Sequence, residues 1–433
     1  MGFIILVFPR ARPCSRGVYN KGVMASPVSF CAWLSRRFAR RSIKMRNPLT
    51  GLALALAATA APAAAAQDVW DDPGGIEAAA TYEAAAVAAP DADGSLLYTL
   101  RGAFEANVVL GSGAIVGFRT SGGIDKDNPA RPGFSGVVGP APAIASPSGA
   151  FSGLVRGAFP GDAGPRARLE TGYLYIEGGY GELRAGFDDG VAARFFEGAP
   201  SLFRHAALVN PTLDPAGQIL ARTDHDLTGP SLKVSYATPR ILGVRAGVSL
   251  TPEANASGLD RDPASGPDIE NAAEIALNVS RRLPRSGVRL RAGAAYSEAD
   301  TAQAALPGAY DRAETWSAGG SVEFSSLAFG ASYLTSNNGL TVTGGDYSAL
   351  SAALRMTFGK IDAGLEFADA TDESARADSD SVSLSLGRNF GENFRIVAGW
   401  QRLSTRFTGN QLPFAPSLRE TTDGVVIEIT LSG

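Results

Sequence analysis

The sequence predicts an all-β fold, a transmembrane antiparallel up-and-down β-barrel of about sixteen strands. Three observations predict it. A secretory leader precedes the folded part. The rest is a series of segments of about ten residues with period-two alternation. Short tight turns then alternate with long polar connections down the whole chain. Strands in which one face is apolar and the other small, polar or charged are what a membrane barrel with lipid outside and water inside requires.

The N-terminal 66 residues are not expected in the fold. Met45-Arg46 is followed by an apolar run from Leu49 to Ala61, then Pro62 and the small residues Ala63 to Ala66. A basic start, a short apolar run and an A-x-A site make a signal peptide over 45–66. The run is shorter than the ~20 residues a spanning helix needs. Cleavage is expected after Ala66, with the mature chain at 67–433. Residues 1–44 are basic, free of acids and without periodicity. They read as a non-native extension ahead of the true start at Met45; a basic targeting arm is the alternative. Ten of the 39 Lys and Arg fall in 1–66 and none of the 43 Asp and Glu, so 29 against 43 remain over 367 residues, a net charge of −14. An acidic chain argues against a nucleic-acid partner. Both cysteines, Cys14 and Cys31, lie in the extension, which leaves no thiol chemistry in the mature part.

The strands follow in order. Val288–Tyr296 sets Val288, Leu290, Ala292, Ala294 and Tyr296 against Arg289, Arg291 and Gly293. Ile361–Phe367 sets Ile361, Ala363, Leu365 and Phe367 against Asp362, Gly364 and Glu366. Ser381–Gly387 and Val425–Leu431 alternate in the same way. A soluble sandwich patterns identically, so the connections decide. Short ones fall at 111–113, 178–181, 239–243, 283–287, 325–326, 359–360 and 391–392. Long ones, rich in Gly, Pro, Asp, Asn and Ser, fall near 123–165, 189–230, 251–269, 299–311, 338–344, 371–377 and 406–418. Strict alternation makes a meander, with short turns at the periplasmic rim and long loops outside. From about Ser95 to Leu431 this counts fifteen strands. The parity demands one more before Ser95, and Ile76–Ala88 is the candidate, despite alanines that favour helix. Aromatics near strand ends, among them Tyr173, Tyr175, Phe187, Tyr236, Phe358, Phe390 and Trp400, fit interfacial girdles.

The run Gly172-Tyr173-Leu174-Tyr175-Ile176-Glu177-Gly178-Gly179-Tyr180-Gly181-Glu182-Leu183-Arg184-Ala185-Gly186 resembles the strand–turn–strand before the constriction loop of Gram-negative porins. The run from Leu232 to Arg240, continuing to Gly243 and Val248–Pro252, is similar to the pair after that loop in alphaproteobacterial general porins. The resemblance implies an outer-membrane barrel, a homotrimer set in lipid and lipopolysaccharide. It implies passive diffusion of small hydrophilic solutes and ions, and an inward-folded third loop facing wall arginines. On this chain Asp188, Asp189 and Glu197 would be the loop acids, and Arg101, Arg119 and Arg184 the wall cations at the pore constriction. One departure stands out: such chains usually end on an aromatic residue read by the assembly machinery, and this one ends Leu431-Ser432-Gly433.

Alternation places Arg101, Arg119, Arg184, Lys233, Arg245, Arg289, Arg291 and Arg395 in the lumen, against Glu105, Glu170, Glu182, Glu274, Glu323, Asp362, Glu366 and Glu428. Eight against eight gives no ion preference. These charges read chiefly as generic solvated wall residues. Enzymatic readings are weak. Gly178–Gly181 joins two strands, whereas a phosphate cradle opens a helix. His205 and His225 lie twenty residues apart and read as loop-stabilising rather than as metal ligands. Asp224 and Asp226 offer a minor reading as a structural calcium site; otherwise no cofactor, metal or catalytic residue is expected. The rival function is a substrate-specific channel for sugars or other nutrients, which would need an aromatic track along the pore. A soluble ligand-binding β-protein would need a water-facing exterior.

Overall fold

The computed structural model describes residues 76–89, 96–128, 149–152, 165–217, 219–254, 267–304, 306–341, 344–407 and 418–433. The expected leader at 45–66 and the extension at 1–44 lie outside them.

The alternating segments form sixteen strands. They are β1 (Ile76–Ala88), β2 (Leu96–Val109), β3 (Ile115–Lys126), β4 (Arg166–Gly178), β5 (Gly181–Asp188), β6 (Ser231–Ala237), β7 (Val244–Ala254) and β8 (Asp268–Arg282). Then come β9 (Arg289–Ala302), β10 (Arg312–Phe324), β11 (Leu327–Ser336), β12 (Tyr347–Phe358), β13 (Ile361–Asp372), β14 (Ala377–Phe390), β15 (Phe394–Phe407) and β16 (Leu418–Ser432). Each pairs antiparallel with its neighbours in sequence, and β16 closes on β1 with Glu83 opposite Ser432 and Ala88 opposite Ile427. Closure leaves no unpaired edge, which lipid does not tolerate. The same closure explains β1: its alanines favour helix in isolation, but ladders to β2 and β16 satisfy its backbone. Among the described residues the only helix is one turn, α1 (Val191–Arg194).

Burial decides what the periodicity left open. On β14 the small residues Ser381, Ser383 and Ser385 are buried, while Leu384 and Leu386 are 53% and 60% exposed. Leu174, Leu232, Leu250 and Phe329 are exposed on other strands in the same way. A sandwich would bury that apolar face. Here it points outward all round, as a lipid-facing barrel requires. The girdle assignment needs one correction. Tyr173 and Tyr175 are buried on the lumen side of β4, between outward-facing Leu174 and Ile176.

The buried apolar clusters therefore lie inside the barrel, where the segment between β5 and β6 packs on the wall. Val191 and Phe195 meet Ala237, Ala276 and Ala295. Leu202, Phe203 and Leu213 meet Val87, Val397 and Val426. Leu208, Leu220 and Leu227 join Phe151, Tyr347 and Phe407.

Candidate functional site

The third external loop, counting the one between β1 and β2, runs from Asp189 to Pro230, enters the lumen, follows the inner wall and returns. Its outgoing pass lies on a track of glycines. A Cβ at Gly247, Gly293, Gly319, Gly330, Gly364 or Gly399 would meet Phe195, Glu197, Pro200, Leu202 or Phe203 within 3.1 Å. These six glycines sit on β7, β9, β10, β11, β13 and β15. At Gly293 and Gly319 the neighbour is loop backbone and at the other four a loop side chain, and only a wall without side chains admits the loop so closely.

Acids of the wall then hold the pass. Glu428 on β16 accepts the backbone N–H groups of Arg204, His205 and Ala206, each at 2.9 Å. Glu366 on β13 accepts the Ser201 hydroxyl and the N–H groups of Leu202 and Leu208. Glu274 on β8 accepts from Ala192 N–H at 3.2 Å, the Ser249 hydroxyl at 2.7 Å and the Thr228 hydroxyl at 2.9 Å. A buried carboxylate persists when its oxygens are saturated with donors in this way. Beyond Glu428 the segment reaches Asp127, just past the outer end of β3, whose Oδ1 accepts Asp214 N–H at 2.8 Å.

The return pass lies one tier nearer the outer rim. Tyr347 accepts from Arg222 N–H at 2.7 Å and donates to the Leu220 carbonyl at 2.8 Å. Thr223 meets the Ser332 hydroxyl at 2.8 Å. His225 bridges the Ser317 and Ser297 hydroxyls at 2.7 and 2.8 Å. On β9, β10 and β11 these serines stand two to four residues outward of the track glycines, about 7–13 Å along the strand. Asn210 ties the passes together by accepting Thr223 N–H at 2.7 Å. Burial drives the His225 imidazole down to a pKa of about 4, so it is neutral here. Asp189 is pushed up to about 7, first by burial and then by the neighbouring Asp226 and Asp188 carboxylates.

The wall that the loop leaves uncovered, β2 to β5, carries paired charges. Arg101 and Arg168 both reach Glu170 at 3.2 Å, and Arg168 also meets Asp125 at 3.1 Å. Arg119 meets Glu105 at 3.1 Å, and Glu105 also accepts the Tyr175 hydroxyl at 2.6 Å. Arg184 bonds Glu182, meets Asp188 at 3.1 Å and stands 4.6 Å over the Tyr173 ring. Arg245 and Arg194 converge on Glu182 at 2.6 and 3.4 Å.

The six residues assigned to the constriction are thus placed as follows. Arg101, Arg119 and Arg184 line the uncovered wall. Asp188 is the last residue of β5 rather than part of the loop, and it meets Arg184. Asp189 opens the loop beside it. Glu197 sits across the lumen, where Asn278 donates to it at 3.1 Å, and meets none of the three arginines. Arg101 and Arg119 pair with wall acids instead. Three of the supposed solvated wall acids, Glu274, Glu366 and Glu428, are buried under the loop. Alternation finds a lumen face but not which part of it a loop will cover. The signal that was available is the recurrence of Gly, Ser and Thr on that face. Arg168, Arg194, Arg204, Arg282 and Arg355 are lumen or loop cations that the alternation count omitted.

A closed sixteen-stranded barrel with an apolar exterior, a charged lumen and a loop narrowing it defines a channel protein of the outer membrane. The Gram-negative porin family profile matches residues 53–408, and the chain belongs to that family. No curated protein matches the sequence. Among solved structures it is similar to the anion-selective porin from Comamonas acidovorans, at 14% identity and TM-score 0.51, over 83% of this chain and 100% of that one. It is also similar to OmpF of Salmonella typhi in complex with daunomycin, at 9% identity and TM-score 0.54, over 84% and 99%. OprB of Pseudomonas putida aligns at 11% identity and TM-score 0.52, over 83% and 94%. At such identities these structures share the fold. The family makes the protein an outer-membrane channel for passive diffusion.

Proposed function

We propose that this porin is a general diffusion pore, working as a homotrimer, with its narrowest passage between the inward loop and the β2–β5 wall. The observation that carries this is the one-sided lumen. The loop is fastened along β7 to β16, so the free bore lies against Arg101, Arg119 and Arg184 with their paired acids. Such a wall sets up a field across the passage that favours dipolar solutes and penalises apolar ones. No catalysis and no cofactor belong to this reading. Asp224 and Asp226 both face the Arg222 guanidinium at 3.3 Å, which supplies the positive charge a calcium ion would bring. Export would use the leader at 45–66, and the barrel would stand among lipid and lipopolysaccharide.

The rival is a channel specific for sugars or another nutrient. An exposed aromatic track would favour it, but the lumen tyrosines of β4 are buried, one beneath Arg184 and one bonded to Glu105. Planar-bilayer recording of the purified mature protein tests both. Stepwise openings in threes, with current linear in solute concentration, are expected of a trimeric general pore. Block that saturates with one sugar would favour the specific channel, and insertion without conductance would sink both.

A further inference from the structure

We propose that the periplasmic half of the lumen, on β8 to β15, is an anion-attracting sector that makes this channel prefer small anions, such as chloride, phosphate and short carboxylates, over cations of similar size. The inference rests on the porin reading and assigns the sign of its selectivity.

The balance of eight lumen cations against eight acids does not survive folding. Glu274, Glu366 and Glu428 are at most 5% exposed and spend their oxygens on the loop. What remains facing water below the outgoing pass is mostly basic. Arg282, Arg289, Arg291, Arg355 and Arg395 point into the lumen near the periplasmic ends of their strands, and Arg204, 52% exposed, joins them from the loop. Two wall acids of the same sector oppose them, and the loop acid Glu197 stands above on Asn278 of β8. Glu323 is shared between Arg289 at 3.3 Å and Arg355 at 3.2 Å. Asp362 accepts the Thr357 hydroxyl at 2.7 Å and is the leading charge acting on Arg395. Glu83 on β1 serves Arg204 and His205, each at 3.1 Å.

Among the described residues, no carboxylate comes within ion-pair distance of Arg282, Arg291 or Arg395. Arg395 Nε is buried without a partner, and the side chain lies in the field of Arg204 and Arg355. Arg282 stands directly opposite Arg289 in the β8–β9 register. Like charges so placed destabilise a sheet, and Glu323 compensates Arg289 but not Arg282. The contrast with β2–β5, where every lumen arginine has its acid, is internal to this molecule. Unpaired guanidiniums on a low-dielectric wall raise the local concentration of anions. At about 0.1 M salt the screening length, roughly 10 Å, lets that field reach across much of a narrowed bore; at 1 M it shrinks to about 3 Å.

The test is the reversal potential of the native porin in planar bilayers under a tenfold KCl gradient. Chloride is expected to be the more permeant ion, more so between 0.01 and 0.1 M than between 0.1 and 1 M. The R282Q/R291Q/R395Q variant is expected to lower the chloride-to-potassium permeability ratio by about threefold or more. R388Q, which removes a charge from the outward face of β14, is expected to leave the ratio where it was. If the triple variant does not fold, R291Q alone carries the same test with a smaller shift, since that side chain is exposed. Potassium preference in the native protein, or an unchanged ratio in a conducting variant, would overturn the anion sector and leave the porin intact. No conductance at all would overturn the porin reading and this inference with it.

Discussion

Individual residues of the inward loop carry most of the pH sensitivity expected here. His225 is held neutral between Ser297 and Ser317, with a pKa near 4 against the usual ~6.5. Between those values the unfolded chain binds the extra proton, so stability falls as pH drops. Its contribution is complete above about pH 6.5 and lost on approach to pH 4. Amide exchange at 219–228, corrected for intrinsic rate, is therefore expected to accelerate at pH 4.5, and His225→Gln should flatten that dependence. Asp189 works in the opposite sense. Its pKa near 7 keeps it protonated where a free aspartate is ionised, so its ionisation costs stability as pH rises from about 4 through 7. The charge it gains near neutrality stands at the root of the inward loop, beside Asp188 and Asp226. Potassium permeability should rise from pH 5.5 to 8.5 in the native protein and rise less in Asp189→Asn. Glu428, on the β16 wall, holds the same loop through its backbone. Glu428→Ala would strand three backbone donors in a buried site, at about 1–3 kcal/mol each. Faster exchange confined to 201–208, in a barrel that still runs as folded, is the expected reading.

At the scale of elements, the strands present lipid outside, and β9, β10 and β11 carry a two-tier seat inside. The glycine tier takes the outgoing pass and the hydroxyl tier takes the return. This accounts for what was legible. Period-two alternation and the rhythm of turns located every strand, including Ile76–Ala88, because closure of the ladder overrides the helix propensity of its alanines. The third external loop's place between β5 and β6 was legible too. Its course was not. Where Glu274 or Glu366 ends up depends on which backbone N–H groups the loop brings to it, and alternation carries nothing about a partner a hundred residues away. The seat can be tested by filling it. Gly319→Val would drive a branched side chain into Glu197, and the loop would have to lift, at about 1–3 kcal/mol. Noisier and larger single-channel currents are expected. Gly102→Ala is the control, since no atom lies within 4 Å of its added Cβ.

For the whole molecule, the loop and the barrel divide the work of folding and of function. The sixteen ladders close without the loop, and the apolar exterior is held by lipid. What the loop contributes is one side of an internal core: Leu202, Phe203, Leu213, Leu220 and Leu227 cover apolar strand residues such as Val397, Val426 and Tyr347. Burial of side chains this size is worth about 1.5–3 kcal/mol each, so the loop stays down once seated. The wall beneath it, however, also carries Gly, Ser and Thr and the acids Glu274, Glu366 and Glu428, which water can solvate. Replacing residues 191–228 by a short Gly/Ser linker should therefore leave a barrel that still resists unfolding in detergent, with a lower thermal midpoint. Its bore would be free from β7 to β16, and single-channel conductance should rise several-fold with a larger sugar cut-off in liposome swelling. Failure of the shortened chain to form a heat-modifiable barrel would mean that the internal core, and not strand closure, decides the fold. The anion preference separates the two roles further. Arg282, Arg291 and Arg395 belong to the strands and survive the deletion, whereas Glu274, Glu366 and Glu428 are released from the loop to face water. The wide pore should thus lose chloride preference even though no cation of the β8–β15 wall has been removed, and its reversal potential under the KCl gradient should move toward potassium.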